Sequence, residues 1–257
     1  MVNKKKQRNC SLKPRVLIIC ENASLNFGGE ATLPLHYFKF LRKCSIETWL
    51  IVHERVREEL EKLLEDELER VSFIPETWIH KLLHNISILF PEAIGTFIFV
   101  QAMHLWSQYL ARKIAQKLIL QHEINIIHQP TPVSPKHISL HYNLGIPIVI
   151  GPLNGGMSYP PAFAKRSDPF SKLFLKLGRQ TSDLFHQLIP GKLEAEMILV
   201  ANQRTYESLP KHVKGKVEIL CENGIDTEVW QNFSPRNFQK KKSATYLCRT
   251  ACKMEGS

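Results

Sequence analysis

The chain has 257 residues, of which 44% are hydrophobic and 23% charged, the composition of a soluble globular protein with a sizeable core. Its formal net charge of +10 predicts an anionic partner, such as a phosphorylated substrate or an anionic membrane. Basic residues that only solubilise the surface would give the same charge. No zinc-finger, RRM or helix-turn-helix pattern accompanies it, so nucleic-acid binding is not expected.

The cysteines and apolar segments bear on the compartment. The six cysteines are scattered, and no pair has zinc-site spacing with partner histidines, which favours reduced thiols over a disulfide framework. The basic N-terminus is not followed by a secretory apolar core. The apolar stretch at 86–106 is interrupted by a proline and polar residues, so no membrane span is predicted. We therefore expect a cytoplasmic protein that is at most peripheral to the inner face of the membrane.

Predicted strands alternate with predicted helices along the chain, the pattern of βα units that build a mostly parallel sheet. Seven apolar segments have strand character, at residues 16–20, 46–52, 71–74, 124–128, 146–151, 197–201 and 217–221. Helical patterns are predicted at 30–43, 54–70, 75–121 (with interruptions), 135–143, 169–188 and 203–209. The sequence therefore predicts an α/β protein with a Rossmann-like, doubly wound parallel sheet.

Composition also divides the chain into four predicted parts. They are a basic tail at 1–14, a Rossmann-like domain at 15–231, a polar and basic linker at 232–243, and the first strand of a further domain at 244–257.

Two glycines separate the first predicted strand from the first predicted helix. Gly28 and Gly29 allow a tight turn and a close approach of the backbone to a ligand. The helix that follows presents free N–H groups and a positive dipole end, which suit an anion. The segment matches neither the dinucleotide fingerprint nor the P-loop. An ordinary strand-to-helix turn would have the same glycines, so both interpretations stay open.

Later strand ends carry further candidates. His128 ends a predicted strand, where its side chain is expected at the edge of the sheet, over a binding crevice. Three glycines within 151–156 indicate a loop that comes close to a neighbour, and Asn154 could hydrogen-bond a polar ligand. An aromatic segment at 159–163 could form a wall for a sugar ring or lipid. A structural histidine and a tight irregular turn are the alternative interpretations.

Four glutamates form two pairs with a spacing of eight residues in the predicted helix at 54–70. The pairs are Glu59 with Glu67 and Glu61 with Glu69. Because that helix is strongly charged, we interpret all four as a solvated face.

Taken together, four motifs resemble the retaining glycosyltransferases of family 4, which have the two-domain GT-B fold. The resemblance covers residues 15–230 and concerns the N-terminal, acceptor-side domain. The motifs are the Gly-Gly pair after the first strand, residues 126–130 (His-x-His-Glu-Pro-like), residues 151–156 (G-P-x-x-G-G) and residues 222–226 (P-N-G-hydrophobic-D-like). Ile126 and Glu222 depart from the family pattern, replacing its first histidine and its proline.

The resemblance implies roles for individual residues. Gly28 and Gly29 would contact the donor's diphosphate, and His128, which matches the second histidine of the family motif, would position the donor sugar. The predicted border of the acceptor crevice is formed by Asn154, Gly155 and Gly156. No metal is expected, because the chain contains no Asp-x-Asp motif, and no cofactor is expected.

The family's second domain grips the donor phosphates through a Gly-Arg and a Lys-Gly. Arg249 and Lys253 match the arginine and the lysine of these two motifs approximately, and Cys248 replaces the glycine of the Gly-Arg motif. The family's E-x7-E pair would lie further downstream, which leads us to expect a truncated donor domain and little activity of this chain by itself.

The expected activity is transfer of a sugar from a nucleotide-sugar donor to an acceptor hydroxyl on a glycan or lipid-linked acceptor, in cell-envelope or polysaccharide synthesis. Two alternatives stay open. One is a non-catalytic module that binds an acceptor or an anionic membrane, and the other is a nucleotide-sugar epimerase of the same fold.

Overall fold

A computed structural model of the chain describes residues 13–90, 95–156 and 184–220, all within one compact unit. Its strands form a single parallel sheet in the order β3-β2-β1-β4-β5-β6-β7. They are β1 Arg15–Ile19, β2 Glu47–His53, β3 Val71–Ile74, β4 Ile126–Gln129, β5 Ile148–Leu153, β6 Met197–Val200 and β7 Lys216–Ile219. The seven strands predicted before residue 222 are all present, and the predicted Rossmann-like fold class is confirmed. The strand predicted within 244–257 lies outside the described residues.

Helices connect the strands and cover both faces of the sheet. They are α1 Gly29–Lys43, α2 Arg57–Leu63, α3 Trp78–Ile88, α4 Gln101–His122 and α5 Gln203–Glu207. A π-helical turn, Gly95–Val100, leads into α4. The predicted helix at 169–188 lies mostly outside the described residues, and its last five residues are helical.

The central strand shows why the sheet is buried on both faces. Leu17 points into a core cluster shared with α4, whereas Ile18 points into a second cluster shared with Leu35 and Phe38 of α1. All four side chains are almost completely buried. Burial of each contributes about 1.5–3 kcal/mol. A strand buried on both faces reads as a continuous apolar run, which is why β1 was readily predicted.

The order of the strands places a crevice at the centre of the sheet. The chain leaves β1 toward β2 and β3 on one side, and later returns to the other side of β1 as β4. Ligands of open α/β sheets bind outside the carboxyl ends of the strands at such a switch point. The crevice therefore lies beyond Ile19 and Gln129, the last residues of β1 and β4.

The prediction of a helix at 135–143 is wrong. The segment is irregular, and side chains of α4 hydrogen-bond its backbone. Gln108 accepts from the Leu140 N–H at 2.8 Å, and Arg112 donates to the carbonyl oxygens of Leu140, at 2.8 Å, and of Tyr142. These contacts satisfy backbone groups that a helix would otherwise pair internally.

The prediction of a single helix at 54–70 is also wrong. The segment consists of a 3-10 turn at Glu54–Val56, the helix α2, and a second 3-10 segment at Glu65–Arg70 that begins after a break at Leu64. The four glutamates with the spacing of eight residues lie in different environments. Glu59 accepts from Ser24 Oγ at 2.5 Å and the Leu25 N–H at 2.7 Å, and Glu67 accepts from Arg42 Nε at 2.7 Å. The prediction of a solvated face is therefore wrong for these two. It is confirmed for the two exposed glutamates, Glu61 and Glu69.

Candidate functional site

The loops at the carboxyl ends of the central strands meet at Val133. Its N–H donates to Glu30 Oε1 in the first turn of α1 at 3.1 Å, and its carbonyl accepts from the Asn154 N–H at 2.8 Å. Val133 therefore joins the start of α1, the loop after β4 and the loop after β5. Three of the motifs recognised in the sequence lie together at this edge of the sheet.

Among the described residues, none fills the space beside the N-terminus of α1 at this edge. Gly28 has φ = +93°, a conformation that favours glycine, and it has no side chain with which to cap the helix. A Cβ at either Gly28 or Gly29 would meet no atom within 4 Å. The arrangement leaves room for an anion beside the first-turn N–H groups. The contact of Gly28 and Gly29 with a donor diphosphate stays a prediction.

His128 is buried between the sheet and α1, with 8% of its surface exposed. Its ring packs edge-to-face on Tyr37 of α1 at 4.7 Å, and its Nε2–H donates to the Gly151 carbonyl at 2.7 Å. Burial lowers the pKa of His128 more than this hydrogen bond raises it, so the ring is neutral near pH 7. Because Nε2 is engaged, a donor sugar would have to be bound through Nδ1. Its predicted role stays a prediction.

The glycine-rich loop at 151–156 packs closely on its neighbours. A Cβ on Gly155 would lie 2.5 Å from Pro135 Cδ, and Gly156 has φ = +72°. The Asn154 Oδ1 accepts from Asn202 Nδ2 at 3.4 Å. Close packing accounts for these glycines without a ligand, and the predicted substrate contacts of Asn154, Gly155 and Gly156 stay predictions.

A charged cluster that the sequence did not indicate occupies the end of β1. Glu21 comes two residues after the strand and is hydrogen-bonded by Arg55, just beyond β2, and by the Nδ1–H of His104 in the first turn of α4. Burial opposes ionisation of Glu21, but these two contacts outweigh it and lower its pKa to about 2. The carboxylate is therefore ionised at all physiological pH values.

Further histidines surround this carboxylate. His137 packs edge-to-face on His104 at 5.9 Å, and His53 packs in the same way on His80 at 5.2 Å. Burial lowers the pKa of His53 to about 4, and Arg55 and His80 add to the effect. Burial also lowers the pKa of His137 to about 4, with a contribution from Lys192. Titratable groups with perturbed pKa values in a crevice mark a functional-site candidate.

A small pocket opens between the ends of β1 and β4 and the side of α4. Its polar lining includes Glu21, His104, Gln129, Thr131 and His141. The buried Nδ1 of His141 has no hydrogen-bond partner among the described residues. Burial lowers the pKa of His141 to about 4, with a smaller contribution from Arg112, so the ring is neutral near pH 7. In a neutral ring, Nδ1 either accepts or donates a hydrogen bond, depending on the tautomer. The pocket thus offers polar contacts beside the Glu21–His104 pair.

A local signal for part of this cluster exists in the sequence. Glu21 and His53 are the first ionisable side chains at the ends of two apolar strands, where ligands of α/β sheets bind. No local signal identifies His104, because it lies in a helix far along the chain.

Several predicted features lie outside the described residues. They are Arg249, Lys253, the segments at 159–163 and 222–226, and the linker at 232–243. Within the described ranges, no group of three or more His, Cys, Asp or Glu side chains could hold a metal ion. In the same part of the chain, no helix is long and apolar enough to cross a membrane.

No family model matches the chain, and no curated protein does. Among solved structures, the chain is similar to MurG from Acinetobacter baumannii, with 11% identity and a TM-score of 0.38 over 87% of this chain and 50% of that one. It is also similar to a glycosyltransferase from Rickettsia africae, with 12% identity and a TM-score of 0.42 over 89% and 48%. The chain spans about half the length of both, and at these values neither likeness indicates an activity.

Proposed function

We propose that this chain is the acceptor-side domain of a GT-B glycosyltransferase resembling family 4, which transfers a sugar from a nucleotide-sugar to an acceptor hydroxyl. The observation that carries the proposal is the convergence at the switch point of the sheet. The open, glycine-started N-terminus of α1 lies there, linked through Val133 to the loops after β4 and β5. The four motifs of the sequence support the family, and no metal or cofactor is proposed.

The donor's diphosphate would bind at the start of α1. Backbone N–H groups beyond Gly28 and Gly29, aided by the helix dipole, stabilise the charge that develops on the leaving group as its bond to the sugar breaks. The net charge of +10 favours the approach of such an anionic donor.

The acceptor hydroxyl would be handled by Glu21 and His104. In the neutral form of His104, Nδ1–H donates to Glu21 and the second ring nitrogen can accept a proton. For the configuration to be retained, the hydroxyl attacks the anomeric carbon on the same face that the diphosphate leaves. It gives its proton to this nitrogen while its oxygen bonds to that carbon. The diphosphate leaves with the electron pair of the broken bond. The Glu21 carboxylate stabilises the imidazolium that forms.

Binding of UDP, GDP and ADP and of their glucose conjugates, measured by isothermal titration calorimetry, tests the donor site. Gly29→Glu places a carboxylate in the open space at the start of α1, where it suits the helix dipole and repels a diphosphate. We expect affinity to fall at least tenfold in this variant. Gln116→Glu, which adds the same charge at an exposed position of α4, should bind like the wild type. Equal affinity in both variants contradicts the donor site.

Turnover distinguishes the enzyme classes. A glycosyltransferase releases nucleoside diphosphate in proportion to a glycosylated acceptor, whereas an epimerase returns an altered sugar without transfer. Little transfer is expected of this chain by itself. Any transfer that it shows should fall at least a hundredfold in His104→Gln while nucleotide affinity is retained. The anomeric configuration of the product, read by NMR, checks the retention that the family resemblance implies.

A peripheral membrane role has its own structural support. The helix α3 buries only His80, and its exposed apolar side chains include Trp78, Leu82 and Ile88, with Lys81 beside them. A helix with an apolar face and a basic residue suits the surface of an anionic bilayer. Sedimentation with phosphatidylglycerol vesicles should be reduced by Trp78→Ser with Leu82→Ser, and not by Leu120→Ser, an exposed leucine of α4. Vesicle binding without nucleotide affinity would favour the non-catalytic binding module.

A further inference from the structure

Lys192, in the segment before β6, is buried although it carries an ammonium group. Only 2% of its surface is exposed. Its Nζ donates to the Ser134 carbonyl at 2.6 Å, and no described carboxylate forms an ion pair with it. Burial, with a smaller contribution from Lys136, lowers the pKa of Lys192 to about 7. The ammonium group has three donors, and one of them is used by this carbonyl.

Such a lysine is costly for the fold. A buried charge without an opposite charge loses its hydration and gains little in return, and an apolar side chain of similar shape is commonly as good or better for stability. The surroundings increase the cost, because Lys136 adds a like charge that further disfavours the ammonium form. Features of this kind, which oppose stability, are typical of functional sites.

The position of Lys192 connects it to the crevice. Ser134, its hydrogen-bond partner, directly follows Val133, which contacts the first turn of α1. Lys136 and His137 lie in the same loop, and His137 packs on His104. Lys192 and the first turn of α1 therefore both contact the loop after β4, at the neighbouring residues Ser134 and Val133.

We propose that Lys192, together with Lys136 and His137, binds a phosphate group of a ligand at the loop after β4. The inference rests on the proposed function for the identity of the ligand, which is either the donor's diphosphate or a phosphate carried by the acceptor. The two N–H donors of Lys192 for which the described residues provide no acceptor meet the phosphate oxygens, and the phosphate supplies the negative charge that the described residues do not.

The test compares Lys192→Met with the wild-type chain. Calorimetric titrations use UDP as the probe for the donor and glucose 1-phosphate as the probe for a phosphorylated acceptor. We expect one probe to bind the wild type and to bind Lys192→Met about 10- to 100-fold more weakly, the loss that follows from removing a charge-assisted hydrogen bond. Lys211→Met, which removes an exposed lysine, should bind like the wild type.

A second measurement separates a ligand-binding lysine from a structural one. If Lys192 serves a ligand, the melting temperature of Lys192→Met without ligand should equal or exceed that of the wild type. A marked decrease would show a structural lysine and overturn the inference. Failure of both probes to bind the wild type, or unchanged affinity in Lys192→Met, would overturn it equally.

The outcomes for the two proposals differ. Loss of UDP binding in Gly29→Glu with unchanged binding in Lys192→Met refutes the role of Lys192 and leaves the glycosyltransferase proposal intact. Binding of glucose 1-phosphate that depends on Lys192, in a chain without affinity for any nucleotide-sugar, supports the phosphate site and refutes the proposed function.

Discussion

Glu21 and His104 are separated by 83 positions in the sequence, yet the Nδ1–H of His104 donates to the Glu21 carboxylate at the centre of the crevice. The first residue follows β1 and the second lies in the first turn of α4, so the contact ties the carboxyl end of the central strand to α4. Arg55 binds the second carboxylate oxygen and fixes the orientation of the pair. A carboxylate with two oriented partners is arranged for proton transfer as much as for stability.

Replacing Glu21 by Gln should lower stability at neutral pH and have little effect in strong acid. The folded-state pKa of about 2 lies below the ordinary value of 4.5, so the ionised carboxylate stabilises the fold above pH 4.5. That contribution is lost as the pH falls from 4.5 through 2. The shift corresponds to about 3 kcal/mol at pH 7. Urea unfolding at pH 7 and pH 2.5 measures it.

The exposed Glu69 provides the matched control for this experiment. Glu69→Gln should change the free energy of unfolding by less than about 0.5 kcal/mol at either pH. A loss in Glu21→Gln that is as large at pH 2.5 as at pH 7 would show that the effect is one of packing and not of charge.

Protonation of His53 should destabilise the fold in mild acid. Burial lowers its folded-state pKa to about 4 from the ordinary 6.5, so the neutral ring stabilises the fold above pH 6.5. The contribution is lost as the pH falls from 6.5 through 4. In His53→Gln, the dependence of stability on pH over this interval should be shallower than in the wild type. Denaturant titrations at pH 7, 5.5 and 4.5 measure the difference, and an unchanged slope contradicts the assignment.

The strands could be predicted largely because they depend on local pattern. Strands such as β1 and β5 are buried on both faces, so each is a short apolar run followed by polar or glycine residues. The start of α1 was predictable for the same reason, since Gly28 and Gly29 mark the turn. The four family motifs could be recognised for the same reason, because each is a short continuous stretch of sequence.

The errors arise where distant side chains replace local hydrogen bonds. The segment at 135–143 has helical composition, but Gln108 and Arg112 from α4 pair with its backbone and hold it irregular. The Glu21–His104 pair was missed in the same way, because nothing near either residue indicates the other. Lys192 carries no signal at all, since its burial depends on the packing of a loop from β4.

Replacing Gln108 by Ala should loosen the irregular segment without unfolding the sheet. The Gln108 side chain accepts from the Leu140 N–H and donates to the Ile138 carbonyl at 3.2 Å. Losing both leaves two partly buried backbone groups unpaired, which costs about 1–3 kcal/mol. Hydrogen exchange at the Leu140 amide should accelerate by roughly ten- to a hundredfold. Gln116→Ala, at an exposed position of the same helix, should leave that amide unchanged.

Replacement by alanine should affect the free energy of unfolding very differently at Gly151 and at Gly29. A Cβ on Gly151, which has φ = +110°, would lie 2.3 Å from the Leu199 carbonyl oxygen, a backbone atom that cannot move aside cheaply. Backbone strain and this overlap together predict that Gly151→Ala destabilises the chain by about 2–4 kcal/mol. In contrast, a Cβ on Gly29 would contact none of the described residues within 4 Å, and Gly29 has an ordinary φ. The free energy of unfolding of Gly29→Ala should therefore differ from that of the wild type by no more than about 1 kcal/mol. Chemical denaturation of the two variants side by side measures the difference, and equal losses would contradict the close packing of β5 on β6.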